Sequence, residues 1–220
     1  MSANQSTLVS SNAVRTVDEK TLFRDFPKTV TLRDGREVVL RPMAGDDFER
    51  SYAFFRDLPD DIRLYLRADV TRKDVVERRM KHDDRHRFLR LVAVHGDKIV
   101  ADATIYRQIH SWQRHVGELR VIIHPDYQRH GLGMDLIREL YEIANRTGLD
   151  VIYSNIIEEQ KGAVRILEKL GFKKELVKKS HVVDMMGRKH DLIVMTCNLA
   201  ELWDHLEMLM LQMDTALSQE

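Results

Sequence analysis

With Cys197 as its single cysteine, the chain cannot form an internal disulfide, which suits a reducing compartment. An excess of one charge is also missing: Lys+Arg and Asp+Glu stand at 35 each, for a formal net charge of +0 at pH 7. That balance gives no electrostatic footprint for nucleic acid or for a membrane surface, and neither is expected as a partner. No apolar run approaches the roughly 20 residues that cross a bilayer. The polar, Ser- and Asn-rich N-terminus lacks the basic start and apolar stretch of a secretory signal. Internal repeats and low-complexity blocks are absent too. What these absences leave is a cytoplasmic globular protein with a flexible tail over residues 1–20. The 220 residues are enough for one well-buried α/β domain rather than two.

What is present is ordered by turn signals and periodicity. Asp34-Gly35, between Val30/Leu32 and Val38-Val39-Leu40, predicts a hairpin. Helical stretches follow over Phe48–Phe55 and Lys73–Lys81. Phe88–Val94 and Ile99–Tyr106 read as a second hairpin around His95-Gly96-Asp97-Lys98, and Val116–Ile123 as a strand ended by Pro125. Leu132, Leu136, Leu140 and Ala144 recur at fourfold spacing and give one buried helix face. Val151–Ile156 is a short strand. Ala163, Val164, Ile166, Leu167 and Leu170 mark a helix closed by Gly171. Strands are expected at His181–Met185 and Leu192–Thr196. A final helix over 198–220 carries Leu199, Leu202, Trp203, Leu206, Leu209, Met213 and Leu217; packing within one subunit and a homodimer contact both account for that stripe. Strand pairs ahead of a strand–helix–strand–helix unit predict a mixed α/β sheet with helices on its faces.

Chemistry concentrates between Val121 and Met134. An apolar strand ends at Ile123-His124-Pro125, and a helix begins within Gln128-Arg129-His130-Gly131-Leu132-Gly133. Glycines there admit close backbone approach, and the open N–H groups of a helix start attract phosphate. A triphosphate loop is excluded because no Lys-Ser or Lys-Thr follows the glycines. A dinucleotide fingerprint is excluded because Leu136 stands where its third glycine belongs.

This segment resembles the acetyl-CoA pyrophosphate loop of the GNAT superfamily of N-acetyltransferases. Glu168-Lys169-Leu170-Gly171-Phe172 is similar to the end of that superfamily's late helix, and element order agrees from about residue 30 to 175. Val30-Thr31-Leu32-Arg33-Asp34-Gly35 with Leu40-Arg41-Pro42, and Gly117-Glu118-Leu119-Arg120, look closest to single-domain bacterial protein lysine acetyltransferases. The resemblance implies an α+β fold with a mixed, mostly antiparallel sheet over residues 28–197, extended by the C-terminal helix. It implies acetyl-CoA as cosubstrate, an amine acceptor on a protein lysine or a small molecule, and no metal. The acceptor class stays open, and so does a non-catalytic acyl-CoA-binding role.

Carried over residue by residue, the resemblance places the main chain of Val121, Ile122 and Ile123 along the pantetheine arm. It places the amides of Gln128, Arg129, His130, Gly131, Leu132, Gly133 and Met134 at the pyrophosphate, with the Arg129 side chain near phosphate charge. Gln160 stands where family members often have a cofactor-contacting asparagine. Leu167 stands where many have a tyrosine acid, which leaves Tyr106, Tyr153 or water for that role. Glu118, ten residues before Gln128, is the expected general base. An amine with a pKa near 10.4 must lose a proton before it attacks a thioester, and a carboxylate beside Val116 and Leu119 is suited to receive it. Pairing with Arg120 is the alternative role for Glu118. Trp112, in the loop before this strand, is either an acceptor contact or a surface side chain. Among the ten histidines, only His82 and His86 are spaced like metal ligands on a helix, and the residues between them read as a loop.

Overall fold

The computed structural model describes residues 18–64, 66, 68–81 and 86–217. The tail up to residue 17, His82, and the side chains of Met213 and Leu217 lie outside that description. The span assigned to the tail contains the start of a helix, α1 (Glu19–Leu22), capped by Asp18 and anchored by buried Leu22. The predicted first hairpin forms as β1 (Lys28–Thr31) and β2 (Glu37–Pro42), with Gly35 at a φ of 83° in the turn. Arg41 grips Asp47 through both carboxylate oxygens, at 2.5 and 2.7 Å, and so fixes the bend into α2 (Phe48–Asp57). The short α3 (Asp60–Arg63), which has no periodic signal, precedes α4 (Lys73–Lys81).

The centre of the sheet is β3 (Phe88–His95) and β4 (Lys98–Arg107), both almost wholly buried because helices cover both faces. On one face Leu89, Leu91, Ala101, Ala103 and Ile105 meet Leu132, Leu136, Leu140 and Ile143 of α5 (Leu132–Arg146). On the other, Val92 and Ile99 meet Phe54, Phe55 and Val76 of α2 and α4. The remaining elements are β5 (Val116–Ile123), β6 (Val151–Ile157), α6 (Lys161–Lys169), β7 (Lys173–Val183), β8 (Lys189–Asn198) and α7 (Leu199–Leu217). The eight strands lie in the order β1-β2-β3-β4-β5-β6-β8-β7, antiparallel except where β5 meets β6.

β7 is longer than the predicted His181–Met185, beginning at Lys173 and ending at Val183. It is an exposed edge strand with two register breaks, so its side chains do not alternate in the way a half-buried strand requires. The C-terminal stripe packs within the subunit along its first half. Leu199, Leu202 and Leu206 are buried, and Trp203 stacks on Tyr141 with ring centroids 4.9 Å apart.

Candidate active site

Among the described residues the sheet has one parallel junction, and it opens like a wedge. β5 and β6 pair only from Val116–Glu118 to Val151–Tyr153, although both strands continue. Beyond Glu118 they diverge, and the Ser154 hydroxyl reaches across to donate to the Leu119 carbonyl at 3.0 Å. His124 N–H donates to Val100 O on the far side of β5. By the two-residue alternation of an antiparallel pair, Ile122 and Arg120 also turn their amides to β4. Leu119, Val121 and Ile123 therefore turn theirs into the wedge. Of the residues expected along a ligand arm, Val121 and Ile123 face the gap with their main chain. Ile122 is paired with Asp102 of β4 and packs its side chain on the α2 core.

Glu118 sits at the vertex. It is the last paired residue, 4% exposed, with Tyr106 opposite on β4 and Tyr153 opposite on β6. Arg120 donates to its Oε2 at 2.7 Å, and Asn155 Nδ2 donates to its Oε1 at 2.9 Å. The sequence offered apolar Val116 and Leu119 as its shelter, with Arg120 as the alternative partner; here both oxygens meet donors, which favour the charged form. The pairing with Arg120 is present, and it is compatible with catalysis because the Arg120 side chain is 42% exposed at the rim. Asn155 is the residue that sequence reasoning missed. Its only signal is the polar Ser154-Asn155 step inside an otherwise apolar strand.

At the open end of the wedge, a 3-10 turn at Pro125–Tyr127 leads to the loop before α5. Gln128 leaves that turn extended, and its side chain donates to Ile123 O at 2.9 Å. Arg129 and Gly131 both adopt left-handed conformations, with φ of 67° and 94°. These curl the backbone into a concave run ahead of the helix. Gln128 N–H and Met134 N–H are spent on Pro125 O and Gly131 O. The amides of residues 129 to 133 have no acceptor among the described residues, and the positive end of the α5 dipole lies behind them. A Cβ on Gly131 would meet nothing within 4 Å, whereas one on Gly133 would stand 3.2 Å from Ile123 Cδ1. The Arg129 side chain is exposed.

Other expected residues fall farther out. Gln160 caps the start of α6 without bonding its own helix; its Oε1 accepts from Ile157 N–H at 3.3 Å. Leu167 is buried in the core and has no proton to give. Tyr106 shares the Glu118 face, and its hydroxyl accepts from Arg87 at 2.9 Å. Trp112 is 87% exposed in the loop leading to the closed end of the wedge. No group of three or more His, Cys, Asp or Glu is arranged around a metal position among the described residues. Nor does any helix among them have the length and apolarity to cross a membrane.

The chain resembles known proteins in sequence and fold. Residues 51–172 match the acetyltransferase (GNAT) family. An acetyltransferase of Pseudomonas aeruginosa is 28% identical over 127 residues, covering 56% of this chain and 68% of that protein. The ribosomal protein bS18-alanine N-acetyltransferase of Escherichia coli K12 is 28% identical over 75 residues, covering 34% of this chain and 50% of its own length. The chain thus spans about half of that relative. Among solved structures, a Salmonella typhimurium protein determined with its cofactor acetyl-CoA superposes with a TM-score of 0.62 at 21% identity, covering 74% of this chain and 94% of that one.

Proposed function

The chain belongs to the acetyltransferase (GNAT) family, which makes it an acyltransferase, and from that premise we propose that it moves the acetyl group of acetyl-CoA onto a primary amine, with Glu118 as general base. The observation that carries this reading is the wedge itself, with a buried carboxylate at its vertex and a run of open amides at its mouth. The five residue-to-residue steps from Glu118 to Ile123 span about 17 Å at roughly 3.3 Å per residue, a length suited to an extended pantetheine arm. Val121 and Ile123 offer the arm main-chain partners. The amides of Arg129, His130, Gly131, Leu132 and Gly133 receive the pyrophosphate, as open groups at a helix start do for anions. Gln160, at the head of α6, flanks the arm from the β6 side in this reading.

With the thioester lying above Glu118, an acceptor amine arriving at the vertex gives its proton to the carboxylate, directly or through one water. The nitrogen lone pair then bonds the acetyl carbon. The carbon–sulfur bond breaks, its electron pair leaves with the sulfur of CoA, and the nitrogen gives up its second proton to that thiolate or to solvent. A thiol with a pKa near 8.5 is a competent leaving group at neutral pH, so the absence of a tyrosine at Leu167 does not block the step. Proton transfer by a placed carboxylate contributes about 10²–10⁴-fold. A cytoplasmic setting, which supplies acetyl-CoA and keeps Cys197 reduced, belongs to the same reading.

The acceptor is read as a primary amine, including a protein lysine, and a panel separates the alternatives. Thiol release from acetyl-CoA is followed with a lysine peptide, an alanine-N-terminal peptide and spermidine. Release above the acceptor-free rate with at least one of them is expected. Acetyl-CoA binding without release from any primary amine would instead indicate an acyl-CoA-binding module.

A further inference from the structure

The β1–β2 turn and the loop before α5 are far apart in sequence, yet they are fastened together. Arg33 N–H donates to His130 O at 3.1 Å, and Arg36 Nη2 donates to Asp126 O at 2.6 Å. The Arg36 guanidinium lies 4.1 Å from the centroid of the Tyr127 ring, a cation–π distance. Asp34 aims that guanidinium, accepting from Arg36 Nε at 2.8 Å and from its backbone N–H at 3.2 Å. The same Asp34 carboxylate stands 3.4 Å from His130 Nδ1. Tyr127 is held from its other side as well, because its hydroxyl and His95 Nδ1 are 2.7 Å apart.

The loop so gripped contains Arg129 in a left-handed conformation, which a residue with a side chain keeps only when its surroundings impose it. A phosphate cradle made of backbone amides works best when it is already shaped, since ordering a loop on binding subtracts from affinity. The turn that supplies the grip lies outside residues 51–172, the span matched to the family.

We propose that Asp34 and Arg36 form a clamp that holds residues 126–131 in their anion-binding shape, so that the β1–β2 turn sets acetyl-CoA affinity through the loop rather than by touching the ligand. Both are positioning residues, and the inference rests on the acetyl-CoA reading above.

Calorimetric titration of the whole chain with acetyl-CoA, alongside NMR titration with S-acetylpantetheine, tests it. S-acetylpantetheine carries the thioester arm but no pyrophosphate. In Arg36→Ala, the Kd for acetyl-CoA is expected to rise about tenfold, the loss of roughly one charged hydrogen bond. The Kd for S-acetylpantetheine should stay unchanged, and Arg36→Lys should recover part of the loss. Asp34→Ala is the sharper probe. It removes a negative charge near the phosphates, so simple electrostatics makes acetyl-CoA bind more tightly, whereas a clamp makes it bind roughly threefold more weakly. Tighter binding by Asp34→Ala, unchanged binding by Arg36→Ala, or equal losses for both ligands would each overturn the clamp. If Arg36→Ala melts much lower than the parent, Arg36→Lys and Asp34→Ala decide the matter. Failure of the unmodified chain to bind acetyl-CoA removes the functional reading itself, and the clamp with it.

Discussion

Glu118 has a donor on each oxygen, and that arrangement separates its charge from its position. Glu118→Gln keeps the side chain's size and a hydrogen-bonding oxygen but removes the proton acceptor. We expect kcat to fall about 10²–10⁴-fold with acetyl-CoA affinity nearly unchanged, and the deficit to narrow as rising pH deprotonates the acceptor without help. Full turnover by Glu118→Gln at neutral pH would assign the residue to structure. Asn155→Ala tests the positioning half. It leaves Glu118 Oε1 without its 2.9 Å donor, so kcat should drop roughly tenfold. The acidic limb of the kcat/KM profile should also move to higher pH, because a donor that favours the charged carboxylate is gone. A lower kcat with an unmoved limb would make Asn155 a packing residue only. Glu118 stood out in the sequence only through the resemblance. Asn155 did not, because its contact spans 37 positions and exists only in the parallel register of β5 with β6. No local pattern encodes that register. The Gly131–Gly133 turn was legible because a strand end, a turn and a helix start lie within one short stretch of chain.

At the scale of elements, the longer helices and the central strands followed their apolar periods closely, and the β7 edge did not. β7, written Lys-Lys-Glu-Leu-Val-Lys-Lys-Ser-His-Val-Val, uses lysines to guard an exposed edge, and its register breaks scramble any alternation. The joint before it is more exacting. A Cβ on Gly171 would stand 2.8 Å from the His205 ring of α7, at a φ of 83° that already disfavours side chains. Gly171→Ala is expected to cost more than about 1 kcal/mol of stability in a denaturant melt. Adding His205→Ala should return only the steric part. The β7–β8 turn carries a different dependence. His190 lies between Glu159, 2.8 Å from Nδ1, and Asp184, 3.0 Å from Nε2, and these bonds hold its pKa above the ordinary histidine value of 6.5. Asp184 stays well below the usual carboxylate range although burial pushes it up, because His190 and Arg188 outweigh burial, and Glu159 is lowered chiefly by His190. The histidine's contribution is therefore complete below pH 6.5 and fades as pH climbs through its raised value. The carboxylates' contribution is present above their ordinary 3.8 and 4.5 and is lost on acidification. The melting-temperature gap between the parent and His190→Gln should accordingly be wider near pH 6 than near pH 9. A gap of constant width would show that the cluster carries no linked proton.

For the molecule as a whole, the open question in the sequence was what covers the apolar stripe of the last helix. The fold covers its first half itself: Leu199, Leu202 and Leu206 enter the same core that supports β5 and α5, and Trp203 lies on Tyr141. Past that point Met208 and Leu211 are in solvent, 49% and 67% exposed. The two halves should behave differently. Leu206→Ala leaves a cavity in a fully buried position and is expected to cost about 2–5 kcal/mol. Leu211→Ser, at an exposed position, should stay within about 0.5 kcal/mol of the parent. Deleting the chain from Leu199 onward removes the buried Leu199, Leu202 and Leu206 together and uncovers Tyr141. Since a domain's entire stability is about 5–15 kcal/mol, that loss is comparable to the whole. We therefore expect the shortened chain to show no cooperative melt and to lose acetyl-CoA binding along with its fold, even though α7 contributes no residue to the wedge. Circular dichroism melts and calorimetry on the shortened chain check both statements. A shortened chain that melts cooperatively and binds acetyl-CoA would show that the core closes without α7, and the stripe's role would then pass to contact with a second copy.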